Sequence, residues 1–410
     1  MTHIRIAAAA ASVLALAVSQ AFAQAPAATP APPPAWKQGM GDKFKDSPLA
    51  PNAAKMTETA AGDIPLSKLK LPKGFKVEVW ASGLVGARAM TFNDDQTKMW
   101  VGTRGIGRVY EVSNEGDKRT HKVVAEKLNQ PTSVYANGAL YVFAIDKVLR
   151  YDNAGKGVSG QPVDMTKAFD LPPEQHHNWK YVRVGADKKL YVPFGAPCNI
   201  CKPPTDEYAQ IRRYNLDGTG KEVIATGVRN TQGFDWHPKT GQLWFTDHGR
   251  DWLGDNGPED ELNVLAKDGS NFGFPYCHAK GIADPDLAKG NKDACKSVTL
   301  PVTTMGPHAA AMGIHFYTGD MFPKEYQGVA FVARKGSWNR TKRFGYDLVT
   351  VKAGPDGKGA KVTPFMTGFM DAKDNSFWGR PAYLAQLKDG SLLVSDEQLG
   401  AIYRISYSKK

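Results

Sequence analysis

Short runs of three apolar residues, set between polar or glycine-bearing turns, recur along this chain. They are Met99-Trp100-Val101, Leu140-Tyr141-Val142, Leu190-Tyr191-Val192, Leu243-Trp244-Phe245, Ala330-Phe331-Val332 and Leu392-Leu393-Val394. Several follow a turn such as Asn137-Gly138, Thr240-Gly241 or Asp389-Gly390. Each is followed by a second strand-like phrase, from Val109-Tyr110-Glu111-Val112 to Ile402-Tyr403-Arg404-Ile405. Alternation of apolar and polar residues marks strands covered on one face. A repeat of about 40–60 residues is what one four-stranded propeller blade consumes. One blade cannot bury its own faces, so copies must pack around an axis. Six copies predict an all-β, six-bladed β-propeller of four-stranded antiparallel blades, closed into a ring with only short edges. A β-sandwich would not account for six units with one internal grammar.

The pattern changes at the N-terminus. Arg5 precedes an uncharged, Ala/Leu-rich run from Ile6 to Val18, and Ala21-Phe22-Ala23 offers small residues where a signal peptidase reads. This predicts a cleaved signal peptide over residues 1–23 and a periplasmic protein. A membrane anchor is the alternative, but the run is shorter than the roughly 20 residues a span requires. Residues 24–63 begin almost entirely with Ala and Pro and read as a flexible segment. The propeller is expected over residues 64–410.

Charge and cysteines narrow the chemistry. The net charge is +11, from basic residues scattered without a dense tract. That disfavours nucleic acid and suits an acidic partner, an anionic cofactor or an anionic lipid surface. An oxidising compartment allows the four cysteines to pair, most simply Cys198 with Cys201 and Cys277 with Cys295, one of three connectivities. A four-thiolate zinc site is the rival. Cys198-Asn199-Ile200-Cys201-Lys202 lacks the histidine of a c-type haem attachment site, so an electron acceptor, if one is needed, is a separate molecule.

Three loops carry more charge, glycine and aromatic residues than plain turns need. They are Glu174-Gln175-His176-His177-Asn178-Trp179, the stretch from Gly227 to Trp236, and Asp247-His248-Gly249-Arg250-Asp251 with its continuation through Pro258-Glu259-Asp260-Glu261. With Asn271-Phe272-Gly273-Phe274-Pro275, Gly336-Ser337-Trp338-Asn339-Arg340 and Gly379-Arg380, their order resembles the soluble quinoprotein sugar dehydrogenases, the glucose/sorbosone dehydrogenase family. The resemblance spans Leu71 to Tyr407.

The resemblance implies an enzyme that oxidises a sugar, aldose or polyol by hydride transfer to pyrroloquinoline quinone (PQQ), with a Ca²⁺ ion at the top centre of the propeller. By it, His177 is the general base, with His176 beside the cofactor and the alternative base. Arg229 and Asn230 hold the quinone, and Arg229 stabilises charge on its reduced oxygen. Gln130 is a polar contact, and Lys335 and Arg380 pair with cofactor carboxylates. The carbonyls of Gly249 and Arg250 ligate calcium. Arginine forks suit carboxylates, calcium takes hard oxygens, and neutral histidine suits proton removal near pH 7. The chain departs from the glucose enzyme at His176, where that enzyme has an acid, and at Trp378, where it has an arginine. Glucose itself is therefore in doubt as substrate.

Plainer roles are open for the same residues. Arg229 can tie two blades together, and the Pro258–Glu261 carboxylates can accept loop N–H groups. His248 can serve as an outer support, and His308 can face the channel. Trp338 and Trp378 read as core by default, with a sugar-stacking platform as the alternative. A non-catalytic periplasmic binding or scaffold propeller is the alternative function, and a metal-dependent lactonase a third.

Overall fold

The computed structural model describes residues 34–51, 55–116 and 118–408. The signal peptide and the start of the Ala/Pro-rich segment lie outside the described residues. Six antiparallel four-stranded sheets follow one another around a ring, as the repeat predicts. Blade 1 is Ala87–Phe92, Lys98–Thr103, Val109–Ser113 and His121–Ala125. Blade 2 is Thr132–Ala136, Ala139–Phe143, Val148–Tyr151 and Val163–Asp164. Blade 3 is Arg183–Val184, Leu190–Phe194, Gln210–Tyr214 and Glu222–Thr226. Blade 4 is Thr231–Trp236, Leu243–Asp247, Glu259–Leu265 and Thr303–Pro307. Blade 5 is Ala311–Phe316, Ala330–Arg334, Asp347–Lys352 and Lys361–Met366. Blade 6 takes Pro381–Gln386, Leu392–Asp396 and Ala401–Tyr407 from the end of the chain. Its outermost strand, Phe75–Ala81, comes from the beginning and is paired from Phe75↔Tyr407 onward.

Every one of the six apolar phrases is the second strand of its blade. They are runs rather than alternations because both faces of that strand are covered by neighbouring blades. In five of them all the residues of the strand are buried. Their aromatics fill the seams. Trp100 stacks on Tyr135 of blade 2 at 5.4 Å, and Trp244 meets Phe316 of blade 5 edge-on at 5.5 Å. The outermost strands carry the polar positions, as in His121–Ala125, which is exposed over its first three residues.

Two long loops interrupt the repeat, and each holds a disulfide. Cys198–Cys201 lies between the second and third strands of blade 3. Cys277–Cys295 lies in the excursion between the third and fourth strands of blade 4, which also lays Ser270–Asn271 parallel against blade 3. Both pairings are the simplest ones the spacing allows.

Around the axis the innermost strands approach closely, which requires glycine. A Cβ on Gly233 would sit 2.8 Å from the Gly313 Cα, and one on Gly313 would sit 2.8 Å from the Tyr383 Cα. Gly233→Ala should therefore cost about 1–3 kcal/mol through overpacking. The check is a lower denaturation midpoint in urea with an unchanged far-UV spectrum.

Candidate active site

Antiparallel order brings the start of each innermost strand and the end of each second strand to the same end of the ring. Residues at those positions line a cavity of about 390 Å³. Arg88, Gln130, Asn230, Gln232, Met312 and Arg380 come from the starts of innermost strands. Arg104, His248 and Lys335 come from the ends of second strands, and the loop before blade 3 adds Gln175 to Trp179. Of the residues singled out in the sequence, Gln130, His176, His177, Asn230, Lys335 and Arg380 share this chamber.

The histidine pair is tightly held. His177 takes a left-handed backbone (φ 54°), and its ring lies 3.9 Å from that of His176. Gly195 packs under it so closely that a Cβ there would collide with the His177 carbonyl. His176 Nε2, His177 Nδ1 and Glu174 Oε2 are buried with no hydrogen-bond partner, so that Glu174 oxygen orients neither ring. Burial, with Arg229 and Arg104 nearby, pushes His176 down to about 4. Burial, then the neighbouring His176 and Arg229, pushes His177 well below the ordinary imidazole range. Both rings are neutral at pH 7, the state required of a proton acceptor.

The chamber is also cationic. Arg88, Arg104, Lys335 and Arg380 all line the chamber. Glu397 lies among them, with Oε2 3.4 Å from Lys335 Nζ and 3.8 Å from Arg88 Nε. Burial alone would raise this carboxyl, but Lys335, Arg88 and Arg380 outweigh it and hold it below the usual range. Lys335 is pushed well down by burial, which the Glu397 carboxylate opposes and Arg380 and Arg88 reinforce. Positive charge is in excess, so an anion entering here relieves repulsion. Arg88 is further braced over Trp179, 4.2 Å from the ring centroid, and donates to Gln232 Oε1 at 3.1 Å.

Buried carboxylates hold the loops that frame the chamber. Asp247 ends the second strand of blade 4 and accepts the backbone N–H groups of Arg229 (2.8 Å) and Asn230 (2.5 Å). Asp396 occupies the same position in blade 6 and accepts the N–H of Arg380 at 3.0 Å. Asp260 accepts from Gly249 N and Ala311 N, joining blades 4 and 5. The acidic phrase is thus structural. His248 is fixed in one tautomer, because Nε2 must donate to the Ala311 carbonyl (2.7 Å). That leaves Nδ1 to accept from Asn230 Nδ2 at 3.3 Å.

Arg229, Gly249 and Arg250 do not line the chamber. Arg229 lies behind it and ties two blades together. Nε and Nη2 donate to Asn199 O and Oδ1 (2.9 and 2.7 Å), and Nη1 donates to the carbonyls of His248 and Gly249 (3.1 and 2.9 Å). The Arg250 side chain is fully buried and paired with Asp284 and Asp286. The Gly249 carbonyl expected to hold calcium is therefore engaged by a guanidinium. No group of three or more His, Cys, Asp or Glu among the described residues is arranged to hold a metal. The guanidinium contact leaves the Gly249 carbonyl one lone pair, so a calcium ion there would share the oxygen with Arg229. The donor set facing the chamber does fit a flat polyanion such as PQQ: four cations for its three carboxylates, and buried imidazole nitrogens without partners.

A model of the TrAA12-like family matches residues 69–408. The chain belongs to that family. An uncharacterised protein of Borreliella burgdorferi is 33% identical over 364 residues, which is 86% of this chain and 94% of that one. Among solved structures, the Trichoderma reesei Carbohydrate-Active Enzymes Family AA12 protein superposes with a TM-score of 0.70 at 19% identity. It covers 87% of this chain and 100% of its own. The holo PQQ domain of Coprinopsis cinerea pyranose dehydrogenase gives 0.68 at 18%, covering 82% and 97%. At these identities the likeness is one of fold.

Within this TrAA12-like propeller, several residues at or beside the chamber escaped the motif reading. Arg104, which lines it, and Glu397, which pairs with its Lys335, each directly follow the second strand, in the same place as His248 and Lys335, so aligning the six phrases by strand end would have found them. Trp36 and Trp338 line the chamber together, although the first lies in the stretch read as flexible and the second was read as core. Trp378 instead packs on Phe369 and donates to the Gly368 carbonyl. His308 Nε2 is engaged with the Gly254 carbonyl at 2.9 Å, outside the chamber lining.

Histidine protonation is directly measurable. In cofactor-free protein, the ring resonances of His176 and His177 should titrate below pH 6.5, with His176 near 4. A depressed pKa keeps the base form present as pH falls, so an acid limb of activity set by His177 should also lie below 6.5. An NMR pH titration with His177→Gln for assignment checks this.

Proposed function

We propose that this chain is an exported quinoprotein sugar oxidoreductase that uses His177 as its general base. The observation that carries the reading is a neutral imidazole pair, with a buried unpartnered nitrogen on each ring, that shares one small chamber with four cationic side chains. The family match supports it, as do fold relatives whose names include a carbohydrate-active enzyme and a PQQ domain. Paired cysteines agree with an oxidising compartment. No helix among the described residues is long and apolar enough to cross a membrane.

Arg380 and Lys335 would bind the carboxylates of PQQ, with Arg88 and Arg104 completing the positive field. Gln130 and Asn230 would offer amide contacts at its edge. When bound, PQQ supplies a two-electron acceptor for hydride. The protein contributes the proton half of the reaction. His177 takes the proton from the substrate hydroxyl while the C–H bond gives up its hydride, leaving a carbonyl product. His176 crowds the ring, and its own desolvation keeps it neutral, so it adds no charge that would oppose protonation of His177. The electrons must then leave to a separate acceptor.

A spectroscopic titration with PQQ tests the pocket. Arg380→Ala and Lys335→Met should each weaken binding about 10–100-fold, the scale of losing a charged hydrogen bond, about 1.5–3 kcal/mol. His177→Ala should bind PQQ within about threefold of wild type and turn over sugar about 10²–10⁴-fold more slowly. A wild-type protein that leaves the PQQ spectrum unchanged would sink the reading.

A further inference from the structure

The chamber has a wall that the propeller does not build. We propose that residues 34–44 belong to the substrate site and that Trp36 is the surface on which a pyranose ring stacks. The inference rests on the sugar-oxidising reading above and adds to that site a residue from outside the propeller.

The segment is anchored at several points. The Trp36 carbonyl accepts the indole N–H of Trp252 at 2.6 Å. Asn199 donates its backbone N–H to Gln38 Oε1 (3.1 Å) and its side-chain amide to the Gln38 carbonyl (2.6 Å). Gly39 turns the chain at φ +71°, where a Cβ would collide with the Arg250 guanidinium and Ile200, so only glycine fits. Phe44 closes the far end against Trp252 at 5.7 Å.

This anchoring presents an aromatic corner to the chamber. Trp252 is buried beneath it. Trp36 and Trp338, both only partly buried, meet edge to face at 5.8 Å and 87°, and both line the cavity. The remaining lining is mostly charged or amide-bearing. A ligand matched to both surfaces has one flat apolar face and a rim of hydroxyls. A pyranose has that shape in its C–H face, whereas an open-chain polyol offers no rigid face to an indole. Asn199 also holds Arg229 and the Asp251 N–H. The same residue therefore fixes the wall and the loop behind the site.

Methyl β-D-glucopyranoside and the open-chain polyol glucitol, titrated by ligand-observed NMR into cofactor-free wild type, Trp36→Ala and Trp36→Phe, test the assignment. Trp36→Ala should weaken the pyranoside about tenfold, the range of an aromatic stacking contact, and change glucitol less than about twofold. Trp36→Phe should recover most of the pyranoside affinity. PQQ titration should be unchanged in all three proteins. Equal pyranoside binding by wild type and Trp36→Ala, an equal loss for glucitol, or no binding to wild type would overturn the proposal. Failure of PQQ to bind any of them would remove the quinone reading and leave the pyranoside comparison standing.

Discussion

Buried carboxylates bonded to backbone amides hold this site together. Asp247, Asp260 and Asp396 are removed from water, and N–H groups take its place. Burial pushes Asp247 and Asp260 up to about 6, against those hydrogen bonds. A charge in that position tolerates little displacement of its donors, because an unmatched buried carboxylate is costly. The amides it fixes belong to Arg229, Asn230, Gly249, Ala311 and Arg380, which lie at or beside the chamber wall. Precision in the loops therefore comes from the strand ends beneath them.

The fold was legible because the second strand of each blade is buried on both faces, so a run such as Leu243-Trp244-Phe245 stands out against its turns. The disulfides follow the simplest of the three pairings that the sequence left open. The chamber was legible in part. His176, His177, Lys335 and Arg380 meet as the resemblance implies. Arg229 does not face them, because local spacing does not say whether a guanidinium points at a ligand or at the carbonyls of Asn199, His248 and Gly249. Trp36 was hidden for another reason. A stretch rich in Ala and Pro shows no periodicity, and its docking depends on partners more than 150 residues away in sequence, Asn199 and Trp252.

The electrostatics of the chamber follow from geometry as much as from residue type. Six strand ends crowd into one space, so side chains from different blades lose water together. Lys335, Arg88 and Glu397 are each nearly or fully buried there. Cations kept this close raise a positive potential in the space between them. The same desolvation keeps His177 unprotonated, so the acceptor of a proton and the binder of an anion share one cause.

The pairing of Phe75–Ala81 with Ala401–Tyr407 has a bearing on how the molecule is made. The strand that completes blade 6 lies before blade 1 in the chain, and the circle closes only when it meets Ala401–Tyr407, which lies beyond blade 5. Until then the early strand shows a bare edge to its surroundings, and such edges invite pairing with other chains. Blades 1 to 5 contain all their own strands and can assemble in order, but the circle stays open until Phe75–Ala81 and Ala401–Tyr407 pair. Biogenesis of this protein thus has a built-in waiting period, and whatever shields Phe75–Ala81 during it protects the whole ring.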